Sequence, residues 1–441
     1  MRPLHLTTKV TSARVFAIAG PAMLANLTTP LIGIVSTMAI GQLGDPALLG
    51  GVAMVSVIFD CLFWLFGFLR FSATAFTAQS LGAGEVDEVP AHFARGLILA
   101  GVSGAALIAL QLPLAALLFK AMGGSGDVTA AAKVYFDIRI WSAPFALGNY
   151  VVLGWLVGLA RARLALAVQV VINLIGMAST ALLVLVLGFG IAGAAMAAVI
   201  AEACGLVLGI LIAQRLLHGR LVVAPGRLFD RTRLARMFAV NRDILIRTAA
   251  LISALLFFTA QGARAGDVTL AANSVLNNFL LVSAFFLDGL ANAAQQLCGQ
   301  AFGARDRTGF AVATRLVVSW GLVFAIAVMA CVALFGPQLI DMMSASLDVR
   351  RTARDFLIFV VASPVLAVFA FAFDGVYIGA TWARDMRNLM LASLAIFLAA
   401  WLALRGFGNA GLWGALLAFY AARGGLEAAR YPSLLRATFG R

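Results

Sequence analysis

Charged side chains are scarce in this chain. Asp, Glu, Lys and Arg together account for 12% of its 441 residues, about half of the roughly 25% that soluble domains contain. Hydrophobic residues account for 63%. This composition excludes a soluble globular fold and predicts an integral membrane protein with several transmembrane helices.

Cysteine and histidine are rare as well. The four cysteines all lie in apolar runs, without the spacing of a metal site or of paired disulfides, so we interpret them as buried thiols. The three histidines are scattered over basic or polar segments, which does not suit a metal site. No nucleophile, base and orienting group recur at usable spacing, so an enzyme is not expected.

The chain also lacks the features of a cleavable signal peptide. Its first residues are basic, but the apolar stretch after them is too long and has no small-residue cleavage site. We expect this stretch to be the first transmembrane helix. Twelve apolar stretches reach the length of about 20 residues that a bilayer requires. They lie at 14–40, 48–79, 95–119, 134–159, 165–187, 191–214, 244–262, 268–301, 311–335, 356–380, 388–404 and 410–429.

The basic residues separate by side of the membrane. If the N-terminus is cytoplasmic, 23 of the 32 Lys and Arg residues fall on the inner side, eight on the outer side, and Arg70 within a span. The positive-inside rule then predicts that both termini lie in the cytoplasm, and we expect a bacterial inner membrane. The net charge of +13 follows from this topology, so nucleic acid is not an expected partner.

An internal duplication organises the chain. Phe286–Arg307 repeats a pattern found at Phe66–Glu85, with a shift of 221 residues. Nearly the same shift relates four other landmarks, for example Pro144 and Pro364. A constant spacing of this kind indicates two copies of one structural unit.

The duplication predicts an all-α membrane protein with two lobes of six transmembrane helices each. We expect an N-terminal lobe at residues 1–214, a basic cytoplasmic linker at 215–243 and a C-terminal lobe at 244–441. Because six is an even number, the lobes are parallel repeats, which usually flank a central cavity. In the linker, Leu228–Phe238 is expected to form a short amphipathic helix on the inner membrane surface.

Four carboxylates and one arginine are predicted to lie inside the spans. A carboxylate at mid-membrane costs at least about 3 kcal/mol, so each is expected to line a cavity, to have a partner or to be protonated. All four carboxylates are candidates for an ion-binding site, and the arginine is a candidate for a structural or gating role. These residues are Asp60, Glu202, Asp288, Asp374 and Arg70.

Two readings stay open for the carboxylates of the second lobe. Asp288 is either a cation or proton site on the cavity wall or a hydrogen-bonding contact between helices. Helical spacing puts Asn292 and Gln295 on roughly its face, which supports a site. Asp374 lies near the inner end of its span, where it suits an ion site and a structural contact equally.

The carboxylates of the first lobe have their own alternatives. Glu202 is expected to neutralise Arg70 in a buried pair, or else to belong to an ion site. Asp60 is either a specialised site or a protonated side chain near lipid. In the first span, Pro21 and Pro30 flank Asn26; because proline bends a helix and frees a carbonyl group, this helix is the best candidate for a bent, cavity-lining element.

With these residues identified, the chain resembles the multidrug and toxic compound extrusion (MATE) family, in particular its DinF-type branch. The resemblance implies two six-helix lobes around a V-shaped cavity, and proton- or sodium-driven antiport of bulky, often cationic, organic compounds. The stretches that carry it extend over nearly the whole chain: Pro30–Gly44, Phe66–Ala83, Gly154–Arg163, Asn241–Thr248, Leu287–Arg307, Phe373–Asn388 and Gly411–Gly424.

The chain departs from the family pattern at the positions where the resemblance would put ion coupling. An aspartate expected in the first helix is Ser36, and an asparagine and an aspartate expected in the fifth are Gly176 and Thr180. A threonine of the sixth helix is Ala198, and a glutamate of the eighth is Gln295. Serine and threonine cannot change charge near pH 7. Coupling has therefore moved to Asp288, Asp374 or Asp60, or it is lost.

The sequence thus predicts a secondary active exporter that works by alternating access. Its expected substrates are small organic compounds, amphipathic or cationic, and its driving ion is a proton or sodium, with no other cofactor and no metal. We expect a monomer surrounded by membrane lipid. The alternative is a transport-inactive or uncoupled paralogue with a flippase-like or scaffolding role. Candidate cavity residues are Asn26, Ser36, Asn173, Thr180, Asn292 and Gln295.

Overall fold

The computed structural model describes residues 10–123, 125–219 and 223–440. The side chains of residues 29–32 and 34 lie outside this description, and with them the predicted effect of Pro30 on the first helix. All regular structure in the described ranges is helical, and none of these residues belongs to a strand. The predicted all-α fold is confirmed.

Sixteen α-helices follow one another through the described residues. In chain order they are α1 (Ser12–Gly41), α2 (Pro46–Leu65), α3 (Phe68–Gly82), α4 (Glu88–Ala109), α5 (Gln111–Met122), α6 (Gly126–Arg139), α7 (Ala143–Gly158), α8 (Ala162–Thr180), α9 (Gly190–Leu216), α10 (Pro225–Leu228), α11 (Arg231–Arg264), α12 (Asp267–Gly303), α13 (Arg307–Met343), α14 (Leu347–Gly379), α15 (Ala383–Leu404) and α16 (Gly408–Phe439).

The helices form two compact units. The N-terminal unit contains Leu24–Leu81 and Glu85–Met237. The C-terminal unit contains the described residues through Met23, together with Gly82–Gly84 and the chain from Phe238 onward. Helices α1 and α11 therefore each have residues in both units.

Ten helical stretches among the described residues are long and apolar enough to cross a membrane, a count that does not establish the predicted twelve. One of them, Ala383–Phe439, holds α15 and α16 on either side of a 3-10 turn at Arg405–Phe407. Another, Gly126–Gly158, carries Arg139 near its middle. Arg139, expected on the outer side, thus lies within a candidate span. It also lies inside the apolar stretch 134–159, five residues from its start, and was counted as outer because that end of the stretch faces outward.

The cysteines differ from their predicted burial. Cys298 is buried and Cys61 is half-buried, but Cys204 and Cys331 are exposed. The prediction of four buried thiols was wrong because an apolar run in a transmembrane helix suits a surface that faces lipid as well as one that faces protein.

The linker is helical over much of its length. The Asp230 carboxylate accepts a hydrogen bond from the backbone N–H of Arg233 at 3.0 Å, which caps the start of α11. No proline interrupts the 34 residues of α11. The amphipathic segment expected as a separate short helix is therefore divided: Leu228 ends α10, and Arg231–Phe238 forms the beginning of α11.

Arg95 of α4 holds α10 against α4 within the N-terminal unit. Its Nε donates to the carbonyl oxygen of Leu228 at 3.0 Å, and a terminal nitrogen donates to the carbonyl oxygen of Arg227. Its other terminal nitrogen lies 3.2 Å from Glu88. Because the Arg95 side chain is almost wholly buried, these contacts replace the water that the two α10 carbonyl groups would otherwise need.

Glycines bring three helices of the C-terminal unit into backbone contact. A Cβ atom built on Gly375 of α14 would lie 2.4 Å from the carbonyl oxygen of Ala291 in α12. One built on Gly424 of α16 would lie 2.8 Å from the backbone nitrogen of Ala370 in α14. Small residues permit this approach between membrane helices, and it draws together the charged side chains that α12, α14 and α16 carry.

Candidate functional site

Asp374 is the centre of a buried ionic cluster in the C-terminal unit. Its Oδ2 atom accepts hydrogen bonds from terminal nitrogens of both Arg247 on α11 and Arg423 on α16. All three residues are buried, with exposures of 6%, 5% and 2%. In this conformation two guanidinium groups share the single Asp374 carboxylate, and a cation could bind that carboxylate only by competing with them.

Glu427 completes this cluster from the following turn of α16. It is fully buried, and neither of its carboxyl oxygens has a hydrogen-bond partner among the described residues. It lies within electrostatic range of Arg423 and Arg247. The hydroxyl group of Tyr377 on α14 donates to the backbone carbonyl of Glu427 at 2.8 Å and so ties the two helices together beside the cluster.

Asp288 lies on the neighbouring helix α12, within electrostatic range of the same two arginines. Unlike Asp374 and Glu427 it is exposed. The Nδ2 atom of Asn292 donates to the backbone carbonyl of Asp288 at 2.9 Å, so the spacing of four residues does place the two on one face, as predicted.

The polar face of α12 continues beyond Asn292. Gln295 is 3% exposed, and its Oε1 atom has no hydrogen-bond partner among the described residues. Further along, the Oε1 atom of Gln300 accepts a hydrogen bond from Arg14 of α1 at 2.5 Å. The predicted site residues Asp288, Asn292 and Gln295 therefore all lie on α12, where helical spacing puts them on roughly one face.

A second group of ionisable side chains lies in the N-terminal unit. Glu202 of α9 is half-buried, and its Oε2 atom accepts a hydrogen bond from Nδ2 of Asn149 on α7 at 2.7 Å. The same nitrogen lies 2.8 Å from the Glu202 carbonyl oxygen. The pairing of Glu202 with Arg70 stays a prediction, whereas its hydrogen bond to Asn149 is a feature of the structure.

Arg139 of α6 lies close to both carboxylates of this group. It is within electrostatic range of Glu202 and of Asp60 on α2, and its guanidinium carbon lies 5.7 Å from the centre of the Phe59 ring. Asp60 itself is exposed. Tyr150 lies within electrostatic range of all four ionisable side chains of this group: Glu202, Asp60, Arg139 and Arg70.

Backbone packing sets the position of Arg70. Helix α2 ends at Leu65 and α3 begins at Phe68, so the helix axis is interrupted between Asp60 and Arg70. A Cβ atom built on Gly154 of α7 would lie 2.2 Å from the carbonyl oxygen of Arg70. Helices α3 and α7 thus touch at this point, which holds Arg70 beside α7 and its Tyr150.

One predicted cavity residue of the first lobe, Asn173, belongs to a hydrogen-bond chain between α8 and α1. Gln169 donates to the Oδ1 atom of Asn173 at 2.8 Å, and Asn173 donates to Thr28 of α1 at 3.0 Å. Asn26 and Ser36 on α1 are half-buried. Thr180 is buried and ends α8, directly before a π-helical segment at Ala181–Val186.

Three arginines and one glutamate of these clusters were not predicted from the sequence to be site residues. Arg247 and Arg423 stand near the ends of apolar stretches, so the positive-inside rule assigns them to the cytoplasmic side. Arg139 was assigned to the outer side in the same way. The spacing of four between Arg423 and Glu427 inside the last apolar stretch was the one signal that could have found a buried pair.

The MatE family model matches residues 21–182 and 234–401. The chain belongs to the MatE family. Members of this family are membrane transporters and not enzymes, so both expectations from the sequence are confirmed. The gap between the two matched ranges, residues 183–233, includes the first part of the predicted linker.

Two relatives are similar to this MatE chain over most of their length. "DNA damage-inducible protein F" of Escherichia coli (strain K12) is 36% identical over 410 residues, which cover 92% of this chain and 89% of the relative. "Probable multidrug resistance protein NorM" of Rhizobium meliloti (strain 1021) is 28% identical over 417 residues, which cover 89% and 87%. The predicted membership of the DinF-type branch is confirmed by the first of them.

Solved structures share the fold. A structure described as "MATE in the bent conformation" matches with a TM-score of 0.87 at 19% identity, over 96% of this chain and 95% of that one. A MOP superfamily transporter from Pyrococcus furiosus Vc1 (DSM3638), whose binding pocket is described as having reverse polarity, matches with a TM-score of 0.85 at 18% identity, over 96% of both chains.

Proposed function

We propose that this MatE protein is a secondary active exporter in a bacterial inner membrane, with both termini in the cytoplasm. It exchanges a small organic compound for a proton or a sodium ion by alternating access. The observation that carries this proposal is the family match along both halves of the chain. Antiport further requires that the ion and the substrate each bind two conformations with different affinity. Ionisable side chains inside the apolar helices are candidates for the binding site of the ion.

The chemistry of the two clusters favours amphipathic or cationic substrates. Asp60 and Asp288 are exposed carboxylates on apolar helices, and a carboxylate in a low-dielectric surrounding attracts organic cations strongly. The Rhizobium meliloti relative is named as a probable multidrug resistance protein, which agrees with broad selectivity for such compounds.

Asp288 is the strongest candidate for the residue that binds the coupling ion in the C-terminal unit. Two arginines donate to the Oδ2 atom of Asp374, and Glu427 is buried. The positions that carry acids in the family pattern of the first lobe hold Ser36 and Thr180, which cannot titrate. The exposed Asp288 can meet an ion that arrives from water and can still respond to the two arginines nearby.

The test is efflux of a lipophilic fluorescent cation from proteoliposomes that contain the purified protein. A pH gradient and a sodium gradient are applied separately, each with an ionophore control that dissipates it. We expect one gradient alone to drive efflux. Efflux of equal rate with and without either gradient would contradict ion coupling.

Substitution of Asp288 by asparagine is expected to reduce gradient-driven efflux by about tenfold or more, which corresponds to a loss of about 1.4 kcal/mol of coupling. Because Asp288 is exposed, the melting temperature should change little. Asp267→Asn is the matched control, since Asp267 lies on the same helix, is also exposed and stands in its first turn. Wild-type efflux in the Asp288→Asn variant would exclude Asp288 as the coupling residue.

The alternative is an uncoupled or transport-inactive paralogue, with a flippase-like or scaffolding role. It is favoured by the neutral residues Ser36, Thr180 and Gln295. Absence of efflux under both gradients, from protein with a cooperative thermal transition, would support this alternative. We expect a monomer in contact with membrane lipid in either case.

A further inference from the structure

Glu427, which has no role in the antiport proposed above, has a buried carboxyl group without hydrogen-bond donors among the described residues. Its carboxyl group is wholly buried, and neither oxygen accepts a hydrogen bond within the described residues. Burial of an ionised carboxylate without donors costs several kcal/mol, whereas burial of the neutral acid costs far less. This geometry suits a carboxyl group that holds its proton.

The two neighbouring arginines donate to Asp374 and not to Glu427. Arg247 and Arg423 each direct a terminal nitrogen to the same atom, Oδ2 of Asp374. The Nε atoms of both arginines and the Oδ1 atom of Asp374 have no hydrogen-bond partner among the described residues. Two guanidinium groups thus donate to one oxygen of Asp374, while the neighbouring carboxyl group of Glu427 accepts no hydrogen bond from them.

A short movement would redistribute these contacts. Arg423 and Glu427 are four residues apart on α16, so their Cβ atoms lie about 5–6 Å from each other on one face of the helix. A change of side-chain rotamer can carry the Arg423 guanidinium from Asp374 to Glu427. Asp374 then keeps Arg247, and each carboxylate has one arginine.

We propose that Glu427 is a proton-binding site of the C-terminal unit, and that loss of its proton to water transfers Arg423 from Asp374 to Glu427. The O–H bond of the carboxyl group breaks, the proton leaves as hydronium, and the carboxylate that remains is paired by Arg423. The charge of the cluster changes by one unit, and the ionic link between α14 and α16 is replaced by a link within α16.

Other ionisable groups surround this site on every neighbouring helix that carries them. Arg247 stands on α11 and Asp288 on α12, each within electrostatic range of the cluster. Tyr377 on α14 lies near Glu427, with Asp385, Arg430 and Tyr431 around Tyr377. Asp385 and Arg430 form their own ion pair, with 2.9 Å between Oδ1 and Nε, so they do not compete for Arg423.

This exchange gives the C-terminal unit two states that differ in protonation. Tyr377 keeps α14 and α16 attached through the backbone of Glu427, while the link from Asp374 to Arg423 is present in only one state. A proton gradient biases two such states because each binds the proton with different affinity. The role of this proton exchange in transport rests on the proposed antiport. The existence of the proton site at Glu427 does not depend on it.

The first arm of the test measures the proton site without transport. Infrared difference spectra of the purified protein, recorded as the pH is raised, should contain a carbonyl band of a buried carboxylic acid that disappears at high pH. Glu427→Gln should lack this band, and Asp385→Asn should keep it. In Arg423→Gln the band should persist to higher pH, because the cation that stabilises the carboxylate is missing.

The second arm measures coupling in proteoliposomes. Glu427→Gln should lower efflux driven by a pH gradient by about tenfold, while exchange of substrate at equal pH stays within about twofold of wild type. A wild-type spectrum identical to that of Glu427→Gln would overturn the proton site. If Glu427→Gln does not fold, an unchanged pH dependence of the band in Arg423→Gln would overturn it equally.

The two arms separate this proposal from the proposed function. If the wild-type protein moves no substrate but shows the carboxyl band and its loss in Glu427→Gln, the antiport fails while the proton site stands. If transport is driven by protons and Glu427→Gln retains both the drive and the band, the antiport stands and the present proposal is overturned.

Discussion

Replacement of Asp374 by alanine is expected to destabilise the protein by about 3–5 kcal/mol, because it leaves two buried arginines without their shared acceptor. Arg247 and Arg423 are 5% and 2% exposed, so neither guanidinium group can turn to water without opening the packing of α14 and α16. The measurement is the free energy of unfolding of the detergent-solubilised protein, compared through melting temperatures.

The control for this prediction is Asp341→Ala. Asp341 also accepts an arginine, with Arg354 at 2.5 Å, but the two side chains are 37% and 47% exposed. An exposed pair of this kind contributes less than about 1 kcal/mol. Similar melting temperatures for the two variants would refute the claim that Asp374 is a buried ionic centre.

A double variant distinguishes two causes of destabilisation in Asp374→Ala: uncompensated charge on the arginines and disturbed packing of the helices. If uncompensated charge is the cause, Asp374→Ala combined with Arg423→Met should be more stable than Asp374→Ala alone, because one of the two unpaired cations is removed. Additive destabilisation by the two substitutions would indicate that packing alone was disturbed.

Gly375→Ala is expected to cost about 3 kcal/mol, although it adds a single methyl group. That methyl group would lie 2.4 Å from the carbonyl oxygen of Ala291 and 2.8 Å from the Cβ atom of Ala294. The obstacle is backbone, which cannot rotate away as a flexible side chain could, so α12 and α14 must separate. The separation would also disturb Asp374, which directly precedes Gly375.

Gly425→Ala provides the matched comparison on α16. A Cβ atom at Gly425 meets nothing within 4 Å, and alanine favours a helix over glycine by up to about 1 kcal/mol. The melting temperature should therefore stay constant or rise in Gly425→Ala, and it should fall by several degrees in Gly375→Ala. A fall of equal size in both variants would contradict the close approach of α12 and α14.

The sequence predicts the helical fold well, because apolar length alone requires helices in a membrane. It also places Asp288 and Asn292 on one face, since their spacing of four is a property of a single helix. The partners of Asp374 could not be predicted in this way. Arg247 is 127 residues away in the chain, and only the packing of α11 against α14 brings it near.

Charges near the ends of apolar stretches are where sequence reasoning fails. The same arginine satisfies the positive-inside rule whether it points to water or into the protein, and Arg423 does the latter. Glu427 follows Arg423 by one helical turn. An arginine and a glutamate at this spacing occur both at an exposed helix end and in a buried ionic cluster, so the spacing does not distinguish the two. Burial decides between them, and burial depends on neighbouring helices that come from distant parts of the chain.

Movement of a substrate and movement of an ion are expected to be linked in this protein. The most direct measurement imposes a gradient of a lipophilic cation across proteoliposomes, with no ion gradient at the start, and records internal pH and internal sodium with fluorescent indicators. We predict that substrate leaving the liposomes drives one of these ions inward, and that Asp288→Asn reduces this movement by about tenfold or more. Substrate movement by the wild-type protein with no change in internal pH or internal sodium would exclude ion-coupled transport.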